Sequence, residues 1–387
     1  YSTHRGYPSG MDIRTGLLAA VLLTVGLSNA GAQIPSGTGW HTLPNTRIRS
    51  VCPDPTQYPT IQGIEGCSAV TSNWNSAVFD STRNRLIIWG GGHNGYLGNE
   101  LYALNLNASP ITTTRLNNPS ILLQTGCSNN SSTGDSPPQA ASRHTYDHIV
   151  YMSHIDRMFV FGGASSPCGF MLQDTWTFNF ATMTWQKMNP TGPAPEGNYG
   201  RATAYDPSTR KVYIADQTTL YTYTFETNAY AAVTDHPIII GQEMTGIMDT
   251  TRHHFIMVGN GAVRAYDMTS ANPVMQTWNT TGATAMISRS NPGVAYDPTS
   301  DRIVAWDGGN TVYSLNPTTK VWTSVTNTGG PAAMSNGTFK RFAYSPASQA
   351  FVTVNSVDAD ASAFRMSAAT PPVVNAAPAA PRGFALR

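Results

Sequence analysis

The sequence predicts an all-β protein, a β-propeller built from four-stranded blades. The main evidence is a repeated phrase, in which an apolar strand ends in an aromatic residue and Asp or Ser, and a polar turn leads into a second apolar strand. Most copies are followed by a third strand, and several by a fourth strand that carries a tryptophan. The period is roughly 40 to 50 residues, which is typical of propeller blades. The copies of the phrase lie at residues 75–91, 144–163, 201–216, 244–261, 292–309 and 340–355.

The number of copies predicts six blades, and a degenerate copy within residues 107–141 would make seven. Residues 39–48, GWHTLPNTRI, form a lone tryptophan-bearing strand, which could supply the outer strand of the last blade and close the ring. Residues 107–141 begin with the outer strand of the first blade and continue as a long polar insertion, a kind of segment that is often functional. Helical periodicity is weak, because the apolar runs are short and bounded by Gly, Pro, Asn and Asp.

The second copy is similar to the repeats of the Kelch family. Its glycine pair Gly162-Gly163, Trp176 in DTWTFNF and Trp185 in MTWQKM match the family's order of double glycine, aromatic residue and tryptophan. The first and fifth copies match in part, and the other three share the strand pattern alone. The resemblance covers about residues 70–366 and implies a β-propeller.

The two ends of the chain differ from the repeats. Residues 1–10 resemble translated upstream sequence, and residues 11–32 read as a secretory signal peptide, with an apolar run too short for a membrane anchor. We assign residues 33–366 to the propeller domain. Residues 367–387 are rich in Pro and Ala and read as a linker, the end of which resembles the start of a fibronectin-type module. We therefore expect a secreted protein, either extracellular or periplasmic.

The cysteines agree with export, because their number is even and no Cys/His zinc spacing is present. The simplest of the three connectivities pairs Cys52 with Cys67 and Cys127 with Cys168. Charged residues make up only 12% of the chain and the net charge is +1, which argues against nucleic-acid binding. We expect a monomer that contacts no membrane once the signal peptide is removed.

Strand direction predicts which loops share a face of the propeller. In an antiparallel blade, the loop that enters the first strand and the loop that joins the second and third strands lie at the same end. We call this end the upper face, and the opposite end, with turns such as DPSTRK and DPTSDR, the lower face. The residues predicted on the upper face are His93, Asn94, Tyr96, Asn99, Arg143, His144, Tyr199, Arg201, Glu243, Arg289, Lys340 and Arg341.

The cations in this set predict recognition of an anion, with carboxylate or sulfate groups as the natural ligands. Histidine, tyrosine and arginine together also suit β-elimination of a uronate, which needs a base, an acid for the leaving oxygen and a cation for the developing charge. We assign His144 or His93 as the base, Tyr199 as the acid and Arg201 as the neutralising group. This set resembles that of the propeller-fold lyases of ulvan-type polysaccharides, which implies an acidic polysaccharide as the substrate.

The remaining upper-face residues are predicted to bind substrate: Asn94, Tyr96, Asn99, Arg143, Glu243, Arg289, Lys340 and Arg341. Each residue also has a structural interpretation. His93 could cap its turn, the arginines could form ion pairs between blades, and the tyrosines could be packing residues. His148, His154, His253 and His254 fall within strands or lower-face turns and receive no role.

Two other functions stay open. A non-catalytic module that binds glycans or proteins would use the same face without a base and an acid side by side. A copper oxidase similar to galactose oxidase ranks last, since no matching set of two histidines, a tyrosine and a free cysteine is apparent. We predict no cofactor and assign no metal ligand. A divalent ion between His93 and a second histidine stays open, although no ligand spacing supports it specifically.

Overall fold

The structure is a computed structural model that describes residues 33–122, 132–197, 199–236 and 243–369. Six sheets follow one another along this part of the chain and form the blades of a β-propeller. Their strands pair antiparallel except for one short parallel pairing in the fifth sheet. No seventh sheet is present among the described residues, so the alternative of seven blades is wrong. The predicted signal peptide, residues 1–32, lies outside the described residues, as does most of the predicted linker.

The blades follow one another in chain order, and the strand β1 (Gly39–Thr42) precedes the first of them. The first blade contains β2 (Ala77–Asp80), β3 (Arg85–Ile88), β4 (Tyr102–Asn105) and β5 (Thr112–Arg115). The second contains β6 (Arg143–His144), β7 (Ile149–Met152), β8 (Arg157–Ser165), β9 (Met171–Asn179) and β10 (Thr184–Met188). The third contains β11 (Ala202–Asp206), β12 (Lys211–Ala215), β13 (Thr219–Thr224) and β14 (Ala229–Asp235).

The remaining blades follow the same plan. The fourth contains β15 (Met244–Asp249), β16 (His254–Gly259), β17 (Ala262–Asp267) and β18 (Gln276–Thr277). The fifth contains β19 (Thr281–Gly282), β20 (Gly293–Asp297), β21 (Arg302–Trp306), β22 (Thr311–Leu315) and β23 (Val321–Thr326). The sixth contains β24 (Phe342–Ser345), β25 (Ala350–Thr353) and β26 (Ser362–Arg365). The described helical segments are α1 (Ala69–Ser72) and the 3-10 turns Ile48–Val51, Pro59–Ile61, Gly66–Ser68, Thr284–Ser288 and Phe339–Arg341.

The strand β1 completes the sixth blade. It pairs antiparallel with β26, and Trp40 stands opposite Phe364. The Trp40 ring also lies 5.2 Å from Trp306 in the fifth blade, and its Nε1 donates to the Asn310 carbonyl at 3.3 Å. The first strand of the propeller therefore closes the ring, as predicted for residues 39–48, and protects an edge that would otherwise be exposed.

The repeated phrase has a structural purpose on the lower face. A tyrosine precedes the Asp or Met at the end of the first strand, and its hydroxyl group hydrogen-bonds to a threonine of the preceding blade. Tyr151 bonds to Thr82 at 2.7 Å, and Tyr296 bonds to Thr251 at 2.6 Å. The Asp itself accepts from the backbone of the following turn, as Asp297 does from the Thr299 amide at 2.8 Å. The phrase thus joins neighbouring blades and stabilises the tight turn within each one.

The core of the propeller lies between the blades. Trp89 of the first blade packs 4.8 Å from Trp185 of the second, in one apolar cluster with Trp176. Trp306 of the fifth blade packs against Phe342 of the sixth at 5.8 Å. The tryptophans that mark the repeats therefore belong to blade-to-blade packing, and burial of such large rings contributes much of the stability.

A buried ion pair crosses the propeller axis. The Lys340 Nζ atom of the sixth blade lies 2.8 Å from Asp147 Oδ1 of the second blade and donates to Thr203 Oγ1 of the third at 3.0 Å. Asp147 Oδ2 also accepts from the Thr203 and Gly246 backbone amides, both at 2.9 Å. Because the third and sixth blades stand opposite each other in a ring of six, the bond from Lys340 to Thr203 spans the axis. We call this group the axial pair.

The predicted disulfide between Cys52 and Cys67 is present. Cys168 is also disulfide-bonded, while its predicted partner Cys127 lies outside the described residues. Within the described ranges, no helix has the length and apolar character needed to cross a membrane.

Candidate functional site

The upper face has a cavity of about 440 Å³ on the propeller axis. Loops from all six blades contribute to its wall, because each chain segment enters its first strand beside the axis. The predicted site residues His93, His144, Tyr199 and Glu243 meet there. The lining residues are Trp74, His93, His144, Tyr146, Tyr199, Glu243, Ser290, Asn291, Ser335, Asn336 and Gly337. We call this space the upper cavity.

Two histidines from different blades stack on each other in the upper cavity. The His93 and His144 rings are 4.1 Å apart, with an angle of 11° between their planes. His93 itself has a positive φ of 45°, at the tip of the loop between β3 and β4. The glycines around it permit this close packing, since a Cβ at Gly92 would strike the His144 backbone and a Cβ at Gly169 would lie 2.6 Å from His93 Nε2. The run of three glycines before His93 therefore lets the first blade approach His144.

His144 is almost fully buried, with 2% of its surface exposed. Its short strand β6 pairs with the upper end of β8, above the bulge that contains the Gly162-Gly163 motif. Neither ring nitrogen of His144 has a hydrogen-bond partner. Burial, with a smaller contribution from His93, lowers the pKa of His144 to about 3. The ring is therefore neutral at pH 7, and its two nitrogens are buried in the cavity wall without a hydrogen-bond partner.

An arc of rings continues from the histidines along the wall. Trp74 lies 5.3 Å from His144, Tyr146 lies 5.9 Å from His144 edge-on, and Tyr199 lies 6.0 Å from Tyr146 edge-on. Burial raises the pKa of Tyr146 well above its ordinary value. Burial also lowers the pKa of His93. The arc combines apolar ring faces with hydroxyl and imidazole groups, which suits a polar ligand that has apolar C–H faces.

The opposite wall of the upper cavity is polar. The Ser290 hydroxyl donates to the Glu243 carboxylate at 2.6 Å. Asn291 is buried, and its Oδ1 has no hydrogen-bond partner. The Asn336 side chain donates to the Ser72 carbonyl at 2.6 Å. Unpartnered polar atoms on both walls indicate that this cavity is built to receive hydrogen bonds from something else.

The arginines predicted on the upper face lie inside the propeller wall. Arg143 donates to Asp174 at 2.8 Å, and Arg201 lies 3.2 Å from Asp216. Both side chains are fully buried, as is Arg341, which donates to backbone carbonyls. Buried charges need such partners to offset the loss of water. The carboxylates that pair with Arg143 and Arg201, and the carbonyl groups that bind Arg341, keep the three side chains inside the blades and away from a ligand.

Lys340 is part of the axial pair, and Arg289 is more than half exposed, with its Nε 3.9 Å from Asp307. Among the described residues that line the upper cavity, Glu243 carries the one formal charge. The ring of positive charge predicted for the upper face is therefore not formed.

The predicted binding residues of the first blade do not line the upper cavity either. Asn94 is exposed in the turn beside His93. Tyr96 is buried and donates to the fully buried Glu100 at 2.7 Å, while Asn99 is buried and donates to the Ala140 carbonyl at 3.1 Å. These contacts give Tyr96 and Asn99 structural roles between the loop and the blade.

Three histidines left without a role have structural partners. His148 is buried near the axis, and its Nε2 accepts from the Arg201 backbone amide at 3.1 Å. On the lower face, the rings of His154 and His253 bond to Tyr205 and Ser208.

Sequence reasoning missed Trp74, Tyr146 and Asn291. All three precede a first strand, which is the position that the strand-direction rule assigns to the upper face, so that rule could have found them. Among the described residues, no group of three or more His, Cys, Asp or Glu side chains is arranged to hold a metal ion.

Comparisons with known proteins agree with the fold. A model of the KLHDC2/KLHL20/DRC7 Kelch-repeats domain matches residues 60–236. A solved protein of unknown function from Bacteroides thetaiotaomicron is 9% identical, with a TM-score of 0.50 over 85% of this chain and 76% of that one. The solved protein YjhT is 12% identical, with a TM-score of 0.51 over 77% of this chain and 94% of that one. No curated protein sequence matches. The six sheets and these similarities together identify the chain as a six-bladed, Kelch-like β-propeller.

Proposed function

We propose that the upper cavity is the active site of a secreted polysaccharide lyase that cleaves a uronate-containing polymer by β-elimination. The observation that carries the proposal is the stacked pair of His93 and His144, with both His144 nitrogens unpartnered, beside two tyrosines in an axial cavity. Secretion rests on the signal peptide predicted for residues 11–32, and the disulfide between Cys52 and Cys67 fits an oxidising compartment. The protein is proposed to act as a monomer.

His93 is the better base of the two histidines, because it is the more exposed and its pKa is less strongly lowered by burial. In the reaction, the C–H bond next to the uronate carboxyl group breaks and its proton moves to His93. The electron pair forms the new C=C bond while the C–O bond to the next sugar breaks. Tyr199 gives its proton to the leaving oxygen. A bound carboxylate would also raise the pKa of His93 toward the working pH.

His144 takes the role that the sequence assigned to Arg201. Arg201 is fully buried beside Asp216, so it does not reach the cavity. A neutral imidazole keeps one N–H group, and such a donor can stabilise the charge that develops on the carboxylate. The buried, neutral His144 ring fits this role, and the amide of Asn291 can hold a neighbouring hydroxyl group.

A second candidate function is glycan binding without catalysis. The absence of lysine and arginine from the described lining favours it, since a uronate polymer is strongly anionic and Glu243 would repel it. In that case Trp74 and the asparagines would recognise a neutral saccharide.

One experiment separates the two candidates. The purified protein is incubated with ulvan, glucuronan, alginate, pectate and glycosaminoglycans, and the ultraviolet absorbance of the new double bond is followed. A lyase gives rising absorbance on at least one polymer, a loss of at least a hundredfold in His93→Gln, and a smaller loss in His144→Gln and Tyr199→Phe. His41→Gln is the matched control, because His41 lies in β1 and bonds the Gly37 carbonyl. Constant absorbance with retained binding rejects the lyase and leaves the binding module.

A further inference from the structure

Two aromatic residues of the upper cavity have an unusual backbone conformation. Trp74 has a φ of 41° and Tyr146 a φ of 44°, both in the left-handed region. Bulky side chains are genuine outliers there, because the Cβ approaches the backbone too closely. Such strain is retained only where the surrounding structure holds it, and it concentrates at functional sites.

The position of these residues in the repeat explains the turn but not the choice of side chain. Each described counterpart that precedes a first strand is also left-handed: Gly200 has a φ of 61°, Asn291 of 50° and Phe339 of 51°. The turn is therefore a shared feature of these blades, and it directs the chain toward the propeller axis. Glycine and asparagine adopt this conformation readily, whereas an aromatic residue does not.

Packing accounts for the aromatic rings of Phe339 and Tyr146 but not for that of Trp74. Phe339 is fully buried and packs in a small apolar cluster with Tyr146 and Ala164. Trp74, in contrast, is 38% exposed and is in none of the apolar core clusters of the described residues. Its indole lies instead on the wall of the upper cavity, 5.3 Å from the His144 ring.

We propose that the Trp74 indole is a stacking platform for a sugar ring of the ligand, next to the unpartnered nitrogens of His144. This inference rests on the proposed function in so far as the ligand is a saccharide. A pyranose has one face of C–H groups that packs on an aromatic ring, and a rim of hydroxyl groups that hydrogen-bond to polar atoms. Trp74 supplies the flat apolar surface, and His144 and Asn291 supply the polar atoms around it. The strained backbone is what places the ring in the cavity.

The test compares Trp74→Ala with Trp74→Gly. Both variants lack the indole, so both are expected to bind oligosaccharides at least tenfold more weakly than the parent. Glycine tolerates a φ of 41°, so the glycine variant is expected to melt at a higher temperature than the alanine variant. Arg210, exposed in the turn between β11 and β12 with a φ of 57°, provides the matched control. Arg210→Gly should also melt higher than Arg210→Ala, with parental binding in both.

Binding is measured by calorimetry with glucuronan oligosaccharides and with neutral cello- and xylo-oligosaccharides. Parental affinity in either Trp74 variant overturns the platform, as does the absence of binding by the parent to every one of these probes. Equal melting temperatures of Trp74→Ala and Trp74→Gly overturn the argument from strain. A parent that binds but gives no absorbance change refutes the lyase and leaves the platform standing, so the two proposals fail separately.

Discussion

The protonation of His144 gives a prediction for the stability of the fold. An unfolded histidine titrates near pH 6.5, whereas burial lowers the pKa of His144 to about 3 in the folded protein. Between these two pKa values, His144 binds a proton in the unfolded chain but not in the folded protein. The stabilising contribution of neutral His144 is therefore complete above pH 6.5 and is lost as the pH falls toward 3.

The magnitude follows from the two pKa values. Each unit of difference corresponds to about 1.36 kcal/mol, so the full effect is about 5 kcal/mol, of which about 3 kcal/mol is lost by pH 4. Because His144 is almost completely buried, solvent screening reduces this value little. The variant His144→Gln cannot take up the proton, so its stability should fall less on acidification than that of the parent.

The assay is urea-induced unfolding at pH 7 and pH 4, followed by tryptophan fluorescence. The decrease in unfolding free energy from pH 7 to pH 4 should be about 3 kcal/mol smaller in His144→Gln than in the parent. His41→Gln should behave as the parent does. Only the change with pH counts, because the substitution also alters packing at neutral pH. Parallel behaviour of the parent and His144→Gln, within about 1 kcal/mol, would refute a buried neutral imidazole.

Three further predictions concern the fold. Burial raises the pKa of Glu100. The destabilisation caused by burying its charge is therefore absent below the unfolded pKa near 4.3 and complete above the folded pKa. Glu100→Gln should raise the melting temperature at pH 8 but not at pH 4. Lys340→Met leaves the Asp147 carboxylate buried without its partner and should cost about 3–5 kcal/mol in urea unfolding, while addition of Asp147→Asn should restore much of this loss. Trp40→Ala removes an indole that joins two blades and leaves the Asn310 carbonyl without its donor. The substitution should cost about 3–5 kcal/mol of unfolding free energy by the same measurement. A cost below about 1 kcal/mol would show that closure of the propeller does not depend on Trp40.

The fold was predictable because each blade repeats the same local requirements. The aromatic-Asp phrase forms the turn and the link between blades, so its copies mark the blades, and Trp40 revealed the strand that closes the ring. Strand direction also explains why His93, His144, Tyr199 and Glu243 surround one cavity, although their chemical roles remain predictions.

The arginines show where a prediction of this kind fails. Loop position assigns Arg143 and Arg201 to the upper face but does not show where a long side chain ends. The partner Asp174 lies near the start of β9, and Asp216 lies on the loop between β12 and β13. These carboxylates hold the guanidinium groups within the wall. A search for a carboxylate between the end of the second strand and the start of the third strand of the same repeat could have identified both pairs.

The backbone conformation of Trp74 and Tyr146 was beyond prediction for a different reason. Local propensity argues against a left-handed aromatic residue, so no pattern of side chains marks one. The fold of each blade imposes the turn. In the sequence, the turn is marked by Gly200 and Asn291, which occupy the equivalent position in two other blades.

The axial pair also decides how a long ligand can move. Because the bond from Lys340 to Thr203 spans the axis, the upper and lower mouths of the propeller are two separate vestibules rather than the ends of a tunnel. The proposed polymer substrate could not be threaded through the ring. It would lie across the upper mouth and leave on the side where it arrived. Such a site does not need a free chain end. If the upper cavity is the proposed lyase site, it can bind a polysaccharide anywhere along its length, and the first products of cleavage should be long fragments rather than single sugars or disaccharides.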